Sequence, residues 1–284
     1  MGVGKRHGKR FRELCWPEPV LTFQSILRRI FAAPLLGEHG RRFLYNRVWR
    51  VERGAGAGLK LRFPQNSDFV SGTSELPVQQ EIAALLRPGD VFYDIGANVG
   101  FFTLIAARIV GDHGCVCAFE PHPHNAAAIH ENAGLNAFSH VRVFEVAAGR
   151  NTRNDELIMT DWDGGGALSS SVVKPAAAAR RTAVRVVQLD EFTKTESLPP
   201  PNFVKIDVEG AELEVLDGMI NVIIRHKPHL LYEVDDPAPD RFRHRWDDLD
   251  QRVSGLGYRV RRLKNSYPNL NWNVGHSIAS PSEQ

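Results

Sequence analysis

The chain of 284 residues is 43% hydrophobic and 24% charged, with a formal net charge of +2. These values exclude a low-complexity or highly charged disordered chain, and the length suits one α/β domain with additions. No run of about 18 apolar residues occurs, so no transmembrane helix is expected. The basic start MGVGKRHGKRFREL lacks the apolar core and small-residue cleavage site of a secretory signal.

Charge is spread unevenly. Residues 1–50 hold 11 Lys/Arg against 3 Asp/Glu, a balance of +8; the remainder holds 24 against 30, a balance of −6. In VLTFQSILRRIFAAPLLG, residues Val20, Phe23, Leu27, Ile30 and Phe31 fall near helical spacing, with Arg28 and Arg29 on another side. Pro34 ends or kinks that helix. Residues 1–40 therefore read as a basic arm and an amphipathic helix. Residues 1–36 are the part suited to a peripheral membrane contact; a solvated arm, with its helix packed on the main domain or a second copy, is the alternative.

Residues 41–89 read as a β-rich and helical lead-in. Phe43, Tyr45, Val48 and Val51 mark short apolar alternations, and GAGAG at 54–58 is a turn between two strands. SELPVQQEIAALLRPGD is a helix that stops before Pro88-Gly89.

From Asp90 onward, strands and helices alternate: VFYDIG, then VGFFTLIAARIV, CVCAFE, HNAAAIHENAGL and VRVFEV. ELIMT and AVRVVQL read as an inserted strand pair, joined by a loop containing GGGALSSS and four alanines. FVKID is the next strand, GAELEVLDGMI its helix and HLLYEV a further strand. A helix near 246–255, a strand at 258–263 and a last strand near 272–279 close the chain. The pattern implies an α/β Rossmann-like domain over 90–284, with a mainly parallel sheet and helices on both faces.

Three cysteines, Cys15, Cys115 and Cys117, argue against a disulfide framework and for a reducing compartment, hence a cytoplasmic location. Cys115 and Cys117 share one face of a buried strand, and no second ligand pair follows at zinc spacing. No metal is assigned. His122 and His124, with Glu120, form too poor a ligand set on one loop, although the carboxylates at 207–212 leave metal dependence open.

The strongest motif is Asp94-Ile95-Gly96-Ala97-Asn98-Val99-Gly100, where the first core strand hands over to its helix. Gly96 permits a tight turn, and Gly96 and Gly100 admit close approach of a ligand or helix. The spacing is not G-x-G-x-x-G, which sets a pyrophosphate at a helix N-terminus. A carboxylate at Asp94 repels a pyrophosphate and suits a positive or hydrogen-donating ligand, such as the amino-acid end of S-adenosylmethionine. Glu120, about 20 residues on, ends the second strand, where an acid accepts hydrogen bonds from ribose hydroxyls. Pro121 and Pro123 shape the loop after it. In FVKIDVEGAELEVLDG, Lys205 and Asp207 point to one side of the strand. Asp207 and Glu209 could orient or deprotonate an acceptor hydroxyl, whereas Glu212 suits the dipole at the helix N-terminus. Glu233 ends the next strand.

DIGANVGFFTLIAA, FEPHP, VKIDVEGAELEVLDG and LLYEV together resemble the FkbM family of S-adenosylmethionine-dependent methyltransferases, over roughly residues 75–262. The resemblance implies a class I methyltransferase fold and methyl transfer, usually to oxygen, on sugars, natural products or glycolipid-like acceptors. It implies that Asp94, Gly96, Ala97, Asn98 and Gly100 shape the methionine end of the cofactor site. Glu120, with Pro121 beside it, would hold the ribose, and Asp207 and Glu209 would face the reaction centre. The first 40 residues and the alanine-rich insert at 175–180 fall outside the shared motifs. A small-molecule or glycan acceptor is expected. Nucleic acid is not favoured, because the basic segment carries few interleaved aromatics beyond Phe11 and Trp16. The alternatives are a non-catalytic binding protein on the same scaffold and an NAD(P)-dependent oxidoreductase, whose glycine fingerprint is missing.

Overall fold

The computed structural model describes residues 47–62, 67–159, 166–171, 180–267 and 272–282. The basic arm and amphipathic helix of residues 1–40, and the alanines at 176–179, lie outside the described residues. Among the described residues, no helix is long and apolar enough to cross a membrane.

The lead-in begins with β1 (Trp49–Arg50) and β2 (Lys60–Leu61), an antiparallel pair with Trp49 opposite Leu61. The GAGAG turn joins them as expected, and the Gly58 N–H closes it on the Val51 carbonyl at 2.7 Å. Two helices follow, α1 (Ser67–Ser71) and α2 (Leu76–Leu85).

The strand–helix alternation then runs β3 (Val91–Ile95), α3 (Phe101–Val110), β4 (Cys115–Phe119), α4 (Pro123–Leu135) and β5 (Val141–Phe144). After an insertion it resumes with α5 (Leu189–Thr195), β10 (Phe203–Ile206), α6 (Glu212–Gly218), α7 (Ile220–His226), β11 (His229–Asp236), α8 (Pro239–Ser254), β12 (Tyr258–Arg262) and β13 (Asn273–Pro281). The insertion comprises β6 (Ala147–Ala148), β7 (Arg153–Met159), β8 (Gly166–Leu168) and β9 (Arg180–Val187).

The main sheet has seven strands in the order β12-β13-β11-β10-β3-β4-β5. The β11–β13 and β12–β13 pairs are antiparallel, and the other pairs are parallel. Period-two alternation divides its side chains between two cores. Phe92, Val116, Phe203 and Leu231 face α2, α3 and the lead-in. Tyr93, Cys117, Val204 and Leu230 face the other way, onto Leu189, Val215, Ile223 and Leu249 of α5 to α8. Val51, Leu61 and Ile82 belong to the first core, so the described lead-in shares the packing of the main domain. This is a Rossmann-like, class I methyltransferase architecture. The strand order turns outward on both sides of β3 and β10, and the crevice at their carboxyl ends is where such sheets hold ligands.

Four sequence readings are corrected. GGGALSSS is not wholly loop, because Gly166–Leu168 pairs with β7 as β8. The helix placed near 246–255 starts at Pro239, where proline is tolerated in a first helical turn. The run GAELEVLDGMI is not one continuous helix. It breaks at Met219, where Gly218 lies so close to the Gly149 carbonyl that a Cβ would sit 2.0 Å from that oxygen. The short helices α1 and α5 lie where the sequence suggested no element. The two cysteines of β4 do share a face, with sulfurs 3.9 Å apart.

Candidate active site

One cavity of about 260 Å³ opens at the carboxyl ends of β3, β4, β10 and β11. Each strand end delivers a short turn to it. At the end of β3, Gly96 adopts φ +82°, and a Cβ there would lie 1.7 Å from the Asp207 carbonyl oxygen. Glycine is required by that approach, which brings the ends of β3 and β10 together. Asn98 also has positive φ, 54°. Its side-chain oxygen accepts from the Val99 N–H at 2.7 Å, a local bond that supports this conformation.

Glu120 leaves the end of β4 and is buried. One oxygen accepts from the Asn98 N–H at 2.8 Å, the other from the His122 N–H at 2.9 Å. Burial outweighs these bonds and pushes its carboxyl up to about 7. The Glu120 side chain thus fastens the β3 turn to the β4 turn and lines the cavity at their junction.

On β10, Lys205 is buried, and its Nζ lies 2.8 Å from Asp207 Oδ2 and 4.0 Å from Asp94 Oδ1. Burial alone would lower the lysine, but Asp207, Asp94 and Glu75 outweigh it and hold it charged, above its usual value. Asp207 ends up on the cavity wall, restrained by this ammonium. Glu209 and Gly210 follow with φ 51° and 98°, a left-handed pair that turns the chain into α6. Burial, then the charges of Asp235, Asp207 and Glu233, raises the Glu209 carboxyl well above its usual value. Glu212 serves the helix: it accepts from the Gly210 N–H at 2.8 Å and from Arg245 at 2.7 Å.

The opposite wall is apolar, with Ala147 and Ala148 of β6, Leu157 and Met159 of β7, and Leu168 of β8. The insertion thus completes the cavity. Ser171 fastens it to the acidic side, its hydroxyl donating to the Glu209 carbonyl at 2.9 Å. Ser169 and Ser170 bond Asp155, so the three serines are structural.

Of the expected site residues, Gly96, Asn98, Glu120, Pro121, Asp207 and Glu209 line this cavity, and Glu233 joins them. Asp94, Ala97 and Gly100 do not. Asp94 is fully buried and accepts from the Thr103 hydroxyl at 2.6 Å, so its carboxylate faces α3 and Lys205. Ala97 packs on Ala118 and Ile129. Gly100 starts α3 with φ +89° against the Ile129 side chain. These three shape the turn from behind.

Sequence reasoning missed Glu75, Tyr267 and His276. Glu75 and Tyr267 line the cavity, and the Tyr267 hydroxyl donates to Glu75 Oε1 at 2.8 Å. His276 is buried on β13, opposite Glu233 in the ladder, with its Nε2 2.6 Å from Glu233 Oε2. Only a polar residue inside a buried strand hinted at it. Burial pushes Glu233 up to about 8, and nearby Asp207 adds to that.

Residues 94–260 match the profile of the methyltransferase FkbM domain. The chain is 26% identical over 179 residues to a hexuronic acid methyltransferase, AglP, of Haloferax volcanii, covering 59% of this chain and 67% of that protein. It is 31% identical over 190 residues to the 2-O-methyltransferase NoeI of Sinorhizobium fredii, covering 59% and 75%. The solved structure of a methyltransferase FkbM from Methylobacillus flagellatus is 18% identical, covers 71% of this chain and 50% of that one, and has a TM-score of 0.44. With the family profile spanning more than half of the sequence and the cavity at the strand ends it covers, the chain belongs to the FkbM methyltransferase family.

Proposed function

We propose that this protein is an S-adenosylmethionine-dependent O-methyltransferase acting on a hydroxyl of a sugar, natural product or glycolipid-like acceptor. The observation that carries the reading is the make-up of this one cavity: Gly96, Asn98 and Glu120 line it together with the carboxylates of Asp207, Glu209 and Glu233.

The residues suit the cofactor. Glu120 has the place and the acceptor oxygens for ribose hydroxyls. Phe119, Leu157, Met159 and Leu168 offer apolar surface to a heterocycle. His122 lines the same cavity, and its Nδ1 is a buried atom with no hydrogen-bond partner among the described residues. The acidic side suits positive charge. The cofactor, when bound, supplies a methyl group already activated by its attachment to a sulfonium.

The protein's own work is to position the acceptor and to manage one proton. Orientation of an acceptor oxygen at about 3–3.5 Å from its target lowers a barrier by several kcal/mol. Asp207 is the base in this reading. Lys205 fixes the carboxylate at 2.8 Å while leaving it on the cavity wall. Asp207 would take the hydroxyl proton as the acceptor oxygen gains the methyl group; the methyl carbon–sulfur bond breaks in exchange, and its electron pair stays on the sulfur of the departing thioether. Relatives named for 2-O and 31-O positions support an oxygen acceptor, and the one named for hexuronic acid supports a carbohydrate.

The test is calorimetry with S-adenosylhomocysteine, with NAD as comparison and Glu120→Ala as control, followed by methyl transfer to hexuronic-acid oligosaccharides. Binding of the homocysteine compound alone, weakened in the variant, is expected. Asp207→Asn should keep that binding and lose at least 100-fold in turnover, the range of a lost general base. Binding of NAD or of neither compound overturns the reading, and full turnover in Asp207→Asn overturns the choice of base.

A further inference from the structure

Three ligand-type atoms converge on the acidic side of the cavity, one of them from Glu233, whose carboxylate is already counted there. Glu75 stands just ahead of α2 with φ 45°. Glu233 lies on β11, and His276 faces it from β13. His276 Nε2 is 2.6 Å from Glu233 Oε2 and 3.2 Å from Glu75 Oε2, and one atom from each residue lies within 4.8 Å of the others. Metal–ligand bonds are about 2.0–2.2 Å long, so neighbouring ligands on one ion lie about 3 Å apart. The 3.2 Å edge matches that spacing, and the 2.6 Å edge has to lengthen by a few tenths of an ångström to admit an ion.

His276 lies within ion-pair distance of both carboxylates, but the directions of these contacts are poor for hydrogen bonds and leave room for an ion. The His276 side chain is 1% exposed, yet Nε2 makes no hydrogen bond of acceptable direction, and neither does Glu75 Oε2. Buried polar atoms normally find a partner. Here they approach each other without pointing at each other, as atoms do when they share a third partner. The other Glu75 oxygen is held by the Tyr267 hydroxyl at 2.8 Å, the kind of outer support that orients a metal-binding carboxylate.

We propose that Glu75, Glu233 and His276 bind one divalent first-row metal ion. Two carboxylates and one imidazole suit manganese, iron or zinc better than calcium. Three protein ligands leave coordination positions open, and Glu75 and Glu233 both line the cavity. If the methyl-transfer reading holds, the ion chelates two neighbouring oxygens of the acceptor, such as a sugar diol or a hydroxyl beside a carboxylate. The metal site itself does not depend on that reading.

The experiment uses the full chain stripped with a chelator and titrated with MnCl₂, read by calorimetry and electron paramagnetic resonance. One ion per chain is expected, with at least 10-fold weaker binding in His276→Ala and in Glu233→Gln. Circular dichroism checks that both variants fold. Pulsed resonance on the wild-type protein provides a reading that needs no variant, because one imidazole nitrogen should couple to the bound manganese. Absence of binding, absence of that coupling, or binding unchanged in both folded variants overturns the proposal, leaving an imidazolium held between two carboxylates. S-adenosylhomocysteine binding is measured on the same sample. Homocysteine-compound binding without manganese sinks the metal site alone; manganese without the homocysteine compound sinks the methyltransferase reading alone.

Discussion

At the scale of single residues, the chemistry of the cavity is set by how many carboxylates are crowded into it. Asp94 and Asp207 share Lys205, while Glu120 has no cation within its hydrogen-bonded surroundings and is stabilised by the Asn98 and His122 N–H groups instead. Burial lifts its carboxyl to about 7, above the ordinary 4.5. The ionised form therefore prevails only above about pH 7, and it is the better acceptor for ribose hydroxyls. Affinity for S-adenosylhomocysteine should be flat above about pH 8 and fall as pH drops through 7, by up to about tenfold per unit. Glu120→Gln cannot titrate and should bind weakly with no such slope. Calorimetry from pH 5.5 to 8.5 on both proteins decides it, and parallel profiles would remove Glu120 from the cofactor site.

At the scale of elements, the site depends on helices whose ends are tied by remote side chains. None of the first residues of α7 is capped locally. Instead Asp190, on α5, accepts from the Asn221 N–H at 3.0 Å, the Val222 N–H at 2.9 Å and the Asn221 side chain at 2.8 Å. Three donors on one buried carboxylate make Asp190→Ala costly. A loss of about 2–3 kcal/mol in urea unfolding is expected, with Asp190→Asn intermediate; a loss under about 0.5 kcal/mol would show that the cap contributes nothing. This bond also marks where sequence reading stops. The runs VFYDIG, CVCAFE and FVKID were legible because a strand, its terminal acid and its turn glycine are neighbours in the chain. Asp207 and Glu120 could be placed at strand ends for that reason. The burial of Asp94 was not legible, because the strand alternation that identified β3 cannot say that its acid meets a lysine 111 residues away. Glu75 and His276 were invisible, since their meeting with Glu233 follows from the β11–β13 register and the path into α2.

At the scale of the whole molecule, the cavity is assembled from two sheets of unequal support. The seven-stranded sheet lies between two large apolar cores. In the four-stranded sheet, β6-β9-β7-β8, Ala148 and Val187 reach the second of these cores, while Ala147, Leu157, Leu168, Val184 and Val186 form a small cluster of their own. The sheet is also held to the larger body by the Ser171 bond to Glu209 and by an Arg153–Glu214 ion pair at 3.0 Å. Less buried apolar surface means a lower free energy for local opening. Amides of β7 should therefore exchange at least tenfold faster than those of β3 and β10 in the free protein, measured by hydrogen-exchange mass spectrometry. Yet β7 supplies Leu157 and Met159 to the cavity wall. A cofactor that needs this wall binds only when the small sheet is closed, and its binding energy then opposes opening. At a hundred times its dissociation constant, S-adenosylhomocysteine can stabilise the closed state by up to about 2.7 kcal/mol, slowing β7 exchange by up to about 100-fold. Protection spreading from the β3 and β4 turns into β7 would make the insertion part of the cofactor site. Protection confined to those turns would leave the insertion free to open around bound cofactor, and would assign it to the acceptor instead.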